Sequence, residues 1–171
     1  MILEYKLRMG ATKPQRANPS DAGLDVFYHP IDPAVSAIRI EPGENQLLPT
    51  GLRFGIPHGY MLQACNRSSM GAKRSLVVGA HIIDSGYEGE IFIDLHNIGQ
   101  ETQYVATGEK IAQLVLVPVV HFRAQEIEES SGELYDSPIT MSGRGAGSLG
   151  STDDSPSQFS NPLNGMPVGG W

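Results

Sequence analysis

Four stretches of the chain carry residue types able to handle an anion or to activate a water molecule. Asp21-Ala22-Gly23-Leu24-Asp25 follows Asn18-Pro19-Ser20 and sets a carboxylate, Asp25, just past a glycine. Taken alone it is a turn entering a strand. Asn66-Arg67-Ser68-Ser69-Met70-Gly71 leaves an apolar run that ends at Cys65. Serine hydroxyls and free backbone N–H groups at a helix start, beside a guanidinium, suit phosphate, and an ordinary serine N-cap reads equally well. Residues 79–91 (Gly79-Ala80-His81-Ile82-Ile83-Asp84-Ser85-Gly86-Tyr87-Glu88-Gly89-Glu90-Ile91) read as two apolar strands joined by a glycine-punctuated turn, a β-hairpin. Its exposed backbone groups can read a base edge as another strand would. Asp84 beside Ile83 is a candidate general base toward water, and Tyr87 offers an aromatic face to a sugar; a solvated hairpin is the plain alternative. The fourth stretch, residues 142–152, is a glycine-rich arm around Arg144 with Ser151 and Thr152. It lacks the spacing and lysine of a P-loop, so it is either an arm that folds over phosphate or a simple linker.

The elements that must position these residues are short strands. Leu3, Tyr5, Leu7 and Met9 alternate with Glu4, Lys6 and Arg8, the period of a half-buried strand. Similar runs occupy 37–40, 46–48, 52–56, 60–65, 76–78, 91–95 and 111–120, divided by turn signals such as Glu41-Pro42-Gly43-Glu44 and Ala106-Thr107-Gly108-Glu109. Among 171 residues, 20 glycines and 12 prolines disfavour long helices; one short helix is expected over Ser68 to Arg74. The expectation is an all-β barrel or sandwich over residues 1–127. Residues 128–152 read as linker and arm, and 153–171 as a Ser/Pro/Asn/Gly-rich disordered tail.

Charge and composition narrow the partners. Twelve Lys and Arg against 19 Asp and Glu give a net charge of -7, a poor match for stable nucleic-acid binding, so an anionic ligand needs a local pocket and a cation's help. A single cysteine, Cys65, excludes an internal disulfide and a multi-cysteine zinc site, and its apolar run predicts a buried thiol. No run reaches the roughly 18 apolar residues of a membrane helix, and no signal peptide is visible; the expected place is soluble and cytoplasmic.

Taken together and in order, these stretches resemble the five motifs of the trimeric dUTP pyrophosphatase (dUTPase) family over residues 1–152. Ala22-Gly23-Leu24-Asp25 is similar to the first motif, Arg67-Ser68-Ser69 to the second, and Ile83-Asp84 with Tyr87 and Gly89 to the third. Gly108-Glu109-Lys110-Ile111-Ala112-Gln113-Leu114 is similar to the fourth, and Arg144-Gly145-Ala146-Gly147 with Gly150-Ser151-Thr152 to the fifth. The resemblance implies a distorted jelly-roll or β-clip barrel with at most one or two short helices, a homotrimer with shared active sites, and Mg²⁺-dependent hydrolysis of dUTP to dUMP and pyrophosphate. It further implies that Asp84 activates the attacking water, that Asp25 holds Mg²⁺ through water, and that Gln113 helps place phosphate or water. Arg67, Ser68 and Ser69 would bind phosphate. Backbone groups between 79 and 92, among them Ala80, His81, Ile82, Ile83 and Phe92, would read the pyrimidine, and Tyr87 would pack on the deoxyribose. Arg144, Leu149, Gly150, Ser151 and Thr152 would close over the phosphates from a neighbouring subunit.

Two departures bear on the base. Leu149 stands where the family carries a stacking Phe, which removes ring stacking of on the order of 1 kcal/mol. Ala80-His81, with Gly86-Tyr87 after the aspartate, is similar to the dCTP deaminase sister family, and Asp94 falls where those enzymes carry their catalytic Glu. Ala72 stands where they carry an Arg, which argues the other way. The reading is therefore a dUTP pyrophosphatase. A dCTP-active enzyme on the same fold, or a non-enzymatic nucleotide-sensing trimer, are its alternatives. The His/Cys zinc ligands of the other deaminase class are absent.

Overall fold

A computed structural model describes residues 1–128. Eleven strands and one helix follow in chain order among these residues: β1 (Tyr5–Leu7), β2 (Leu24–Phe27), β3 (Ala37–Ile40), β4 (Asn45–Pro49), β5 (Leu52–Phe54), β6 (Tyr60–Cys65), α1 (Ser68–Arg74), β7 (Leu76–Val78), β8 (Ile82–Ile83), β9 (Phe92–Asn97), β10 (Gln103–Ala106) and β11 (Lys110–Pro118). The fold is all-β with one short helix, at the position expected from the sequence.

The strands form four sheets: β1-β5, β10-β3, β2-β11-β6-β8 and β4-β9-β7. All their pairings are antiparallel. Residues Met1–Arg123 form one compact unit; of the residues that follow it, 124–128 are described and contain no strand or helix. The first unit closes on an apolar core that includes Val26, Ile40, Leu48, Leu52, Ile93 and Ile111, all fully buried. Strand β9 illustrates how sequence period becomes burial. Ile93, Leu95 and Asn97 point inward, and Phe92, Asp94 and His96 point out. The one buried amide on that face, Asn97, is satisfied by Ile40 O (3.0 Å), Glu101 O (2.8 Å) and the N–H of Gly99 (3.0 Å).

Four sequence expectations change. The N-terminal alternation spans only Tyr5–Leu7 as a strand; Met9 is 96% exposed and Tyr5 is exposed, because β1 lies at the rim and pairs with β5 alone. Cys65 is half-buried rather than buried, since it ends β6 at the edge of the core. Strand β10 is an addition, pairing with β3 through Val105↔Ile38; Gln103-Tyr104-Val105-Ala106 carries one inward apolar residue, too weak a period to stand out. Finally, residues 79–91 are not a hairpin of two strands paired with each other. Strand β8 pairs with β6, and β9 pairs with β4 and β7. The true hairpin is β7–β9, and its long connection donates β8 to a different sheet.

Candidate active site

The sheet β2-β11-β6-β8 draws distant segments into one row. Gln113 on β11 stands opposite Asp25 on one side and Cys65 on the other. The acidic stretch near residue 25, the Arg-Ser-Ser turn after Cys65 and the stretch around Gln113 therefore meet at one end of one sheet. The contact at Gly23 is close: a Cβ there would lie 2.8 Å from Gln113 Oε1 and 3.0 Å from its Cβ. Glycine is required by that approach. Gln113 Nε2 donates to Asn66 O at 2.9 Å, which ties β11 to the turn leading into α1.

Asp25 is clasped by two cations. Its Oδ1 accepts from Arg67 Nε at 2.9 Å and its Oδ2 from Lys110 Nζ at 2.7 Å. The carboxylate is buried, while both cationic side chains remain about a quarter to a third exposed. Arg67 also reaches Ser69 Oγ (3.4 Å) and Lys110 O (3.5 Å) through Nη1. Its Nη2 makes no bond among the described residues. The ammonium of Lys110 lies over the Phe27 ring, 5.8 Å from its centroid.

Helix α1 starts differently from a serine-capped helix. Arg67 is the N-cap in extended conformation without a side-chain cap bond, and Ser68 is the first helical residue. The N–H groups of Ser68 and Ser69 have no protein partner among the described residues, and Ser68 is exposed. The helix is held from below by buried Met70 and closed by Ser75 at φ 54°. Arg74 is engaged with Glu109, Gln103 and Tyr104, so it serves the fold.

Strand β8 is the outer strand of its sheet. Ala64 N–H donates to His81 O at 2.8 Å, and Ile82 stands opposite Gln63. Antiparallel alternation then turns the N–H and C=O of Ile82 to the unpaired edge. A carbonyl can only accept, so the 2.8 Å contact of His81 Nδ1 with Ala64 O puts a proton on Nδ1 and leaves Nε2 at the surface. Asp84 is exposed in the turn after β8. The ring of Tyr87, 47% exposed, lies across Gly89, where a Cβ would meet Tyr87 Oη at 2.4 Å; its hydroxyl donates to Glu90 O at 2.9 Å. Extending the β6–β8 register puts Asp84 level with Met61 and Ala80 level with Cys65. Asp84 is thus four residues along the strand direction from the Asp25–Gln113–Cys65 row, roughly 13 Å at the strand rise. One chain brings Asp25, Arg67, Ser69 and Gln113 together and sets Asp84, Tyr87 and Ile82 apart from them.

Asp94 and Phe92 belong to another sheet. Asp94 Oδ1 accepts from Asn45 Nδ2 at 2.7 Å and Oδ2 from His96 Nε2 at 2.9 Å. Burial raises its carboxyl, but the hydrogen bonds from Asn45 and His96 and the charge of His96 outweigh this and leave it below the usual value. Gly79 sits against this pair, since a Cβ there would lie 2.3 Å from His96 Nε2 and 2.5 Å from Asp94 Oδ2.

No group of three or more His, Cys, Asp or Glu side chains is placed to cage a metal among the described residues. Asp25 offers one carboxylate whose oxygens each already accept one charged donor. That donor set fits a divalent ion carried by a ligand's phosphates and water, with Asp25 in its outer shell. Arg144, Leu149, Gly150, Ser151 and Thr152, with the arm and tail beyond residue 128, lie outside the described residues. No helix among the described residues is long and apolar enough to cross a membrane. Sequence reasoning assigned no role to Lys110 or Asn66; both stand in the quoted stretches, but only the pairing of β11 with β2 and with β6 shows that Lys110 meets Asp25 and Asn66 meets Gln113.

Comparison with known proteins bears on the family and the fold. A family model described as dUTPase matches residues 10–143. The chain is similar to the deoxyuridine 5'-triphosphate nucleotidohydrolase of Chlamydia muridarum, 34% identical over 151 residues that cover 87% of this chain and 96% of that protein. It is 38% identical to the same enzyme of Serratia proteamaculans over 152 residues, covering 87% and 91%. Among solved structures, Staphylococcus bacteriophage 80alpha dUTPase with dUpNHpp superposes with a TM-score of 0.72 at 25% identity, covering 88% of this chain and 97% of that one. A mutant dUTPase from phage phi11 of S. aureus, whose structure details the coordination of a structural Mg(II) ion, gives 0.66 at 26% identity, covering 75% and 98%.

Proposed function

The chain belongs to the dUTPase family and hydrolyses dUTP to dUMP and pyrophosphate with Mg²⁺, and we propose that the Asp25–Gln113–Arg67 cluster is the phosphate-handling half of its active site. The observation that carries this reading is the strand order β2-β11-β6-β8, which sets four of the five motif stretches side by side. Arg67, whose Nη2 makes no bond among the described residues, and the N–H groups of Ser68 and Ser69, unpartnered among those residues, bind phosphate oxygens. Gln113, locked by Asn66 and Gly23, positions phosphate or water. Mg²⁺, when bound, neutralises the triphosphate and stabilises charge on the reacting phosphoryl group, and Asp25 would hold it through water.

The other half reads the nucleoside. The open edge of β8 at Ile82, with the backbone of Ala80, His81 and Ile83, pairs with the pyrimidine, with Phe92 at its border. The Tyr87 ring backed by Gly89 packs on the deoxyribose. Asp84 takes a proton from water as the water oxygen attacks the α-phosphorus; the bond to the bridging oxygen breaks and pyrophosphate leaves with the electron pair. Arg144, Leu149, Gly150, Ser151 and Thr152 close over the phosphates. The roughly 13 Å offset between Asp84 and the Asp25 row supports a homotrimer in which the two halves of each site come from different chains. An enzyme that consumes dUTP meets it in the nucleotide pool, which makes the cytoplasm its expected place.

The bonds of Asp94 to Asn45 and His96 support a site in which uracil is bound without its help. The test is to incubate the protein with Mg²⁺ and either dUTP or dCTP and to measure pyrophosphate and ammonia separately. Pyrophosphate from dUTP alone is expected. Ammonia from dCTP would overturn the base assignment, and binding without turnover would favour a sensor.

A further inference from the structure

Away from that sheet, the pair β1-β5 sets Lys6 directly across from Arg53. Like charges opposite each other on antiparallel strands repel. Neither residue has an ion pair among the described residues. Both line a cavity of about 210 Å³ whose walls also include Leu7, Arg8, Gly51 and Glu90. Arg8 is locked in place: Nη2 donates to His29 O at 2.6 Å and to Pro30 O at 3.3 Å, and Nε is buried with no acceptor. The cavity's single carboxylate, Glu90, is 3.5 Å from Arg8 and already accepts the N–H of Gly51 at 2.8 Å. Within the cavity's own lining three cations face one carboxylate, in a chain whose net charge is -7. Glu4 and Glu88 line an adjoining groove shared with Lys6 and Arg53 but pair with neither. Gly51 stiffens the wall, with φ at +73° and room for no Cβ, which would meet Ala11 Cβ at 2.5 Å.

We infer that this cavity is a second anion site, separate from the nucleotide site, for a small oxyanion of the phosphate class. The cationic donors suit phosphate oxygens, and the volume lies below the roughly 300 Å³ at which pockets begin to take drug-sized ligands. A bound oxyanion relieves the Lys6–Arg53 repulsion. Inorganic phosphate and the pyrophosphate released by the enzyme share this chemistry.

The test is thermal unfolding of the full chain in rising inorganic phosphate, against sodium chloride of equal ionic strength, for wild type and for Lys6→Gln/Arg53→Gln. Without phosphate the double variant should be at least as stable as wild type, because a repulsion is gone. With phosphate the wild-type midpoint should rise saturably, and the double variant should lose most of that rise, about three-fold or more, while kcat and KM for dUTP stay within about two-fold. Crystals soaked in selenate should carry an anomalous peak between Lys6, Arg8 and Arg53. A parallel series in pyrophosphate names the ligand: saturation about ten-fold earlier than with phosphate assigns the site to the diphosphate. No phosphate effect in wild type, an undiminished rise in the double variant, or selenate absent from the cavity each overturns the assignment, as does a double variant that is less stable without phosphate.

Discussion

Asp25→Asn probes the clasp at the centre of the candidate site. The amide keeps the shape of the side chain, removes its charge, and turns an NH₂ donor toward one of two cations now held at 2.9 and 2.7 Å. A hydrogen bond to a charged group contributes about 1.5–3 kcal/mol. Arg67 and Lys110 are 26% and 30% exposed, so water re-solvates them in part and each contact is discounted to about 1 kcal/mol. The expected loss is then about 2 kcal/mol, a fall in Tm of roughly 6–10 °C for a unit of this size. The assay is urea unfolding at fixed protein concentration of wild type, Asp25→Asn, Arg67→Gln, Lys110→Gln and the two doubles that contain Asp25→Asn. Each cycle should return a coupling of about 1 kcal/mol. Couplings under about 0.3 kcal/mol in both cycles would refute the reasoning, because the clasp would then contribute nothing that its members lack separately.

Four further outcomes test the rest of the site and its frame. Asp84→Asn should keep dUTP binding, measured by calorimetry, and lose turnover by about 10²-fold or more; retained turnover removes its role as base. Gly89→Ala drives a methyl into the space of Tyr87 Oη, so KM for dUTP should rise several-fold with little loss of stability, and an unchanged KM would detach Tyr87 from the sugar. Truncation after Gly143 should cut turnover and leave the assembly state by light scattering intact, and normal turnover would end the role given to the arm. Asp94 is held below its usual value, so it contributes stability that is full above the carboxylate range and fades as pH falls through its lowered folded value. Asn45→Ala should therefore destabilise the protein at neutral pH, with the gap to wild type closing as the pH is lowered through that range; a gap independent of pH would count against the Asn45–Asp94 bond.

Much of the fold is legible in local pattern. The period of two in Phe92-Ile93-Asp94-Leu95-His96 sorts that strand's faces correctly, and the polar run Ser68 to Arg74 between two apolar strands gives the helix its true limits. The motif order gives the family, and with it the reaction and the metal. What a strand pairs with is another matter, because the period of a strand names its buried face and leaves its hydrogen-bonding edges unassigned. Residues 79–91 have the composition of a hairpin, yet β8 closes against β6 because Leu62 and Ile83 meet there, and β9 is taken by β4 and β7. That exchange leaves the Ile82 edge unpaired among the described residues and sets Asp94 against Asn45 and His96. Lys110 likewise sits in plain sight in Gly108-Glu109-Lys110, 85 residues from Asp25. Its ammonium reaches that carboxylate only because β11 lies beside β2, a long-range pairing set by burial of Val26, Ala112 and Leu114 in the common core.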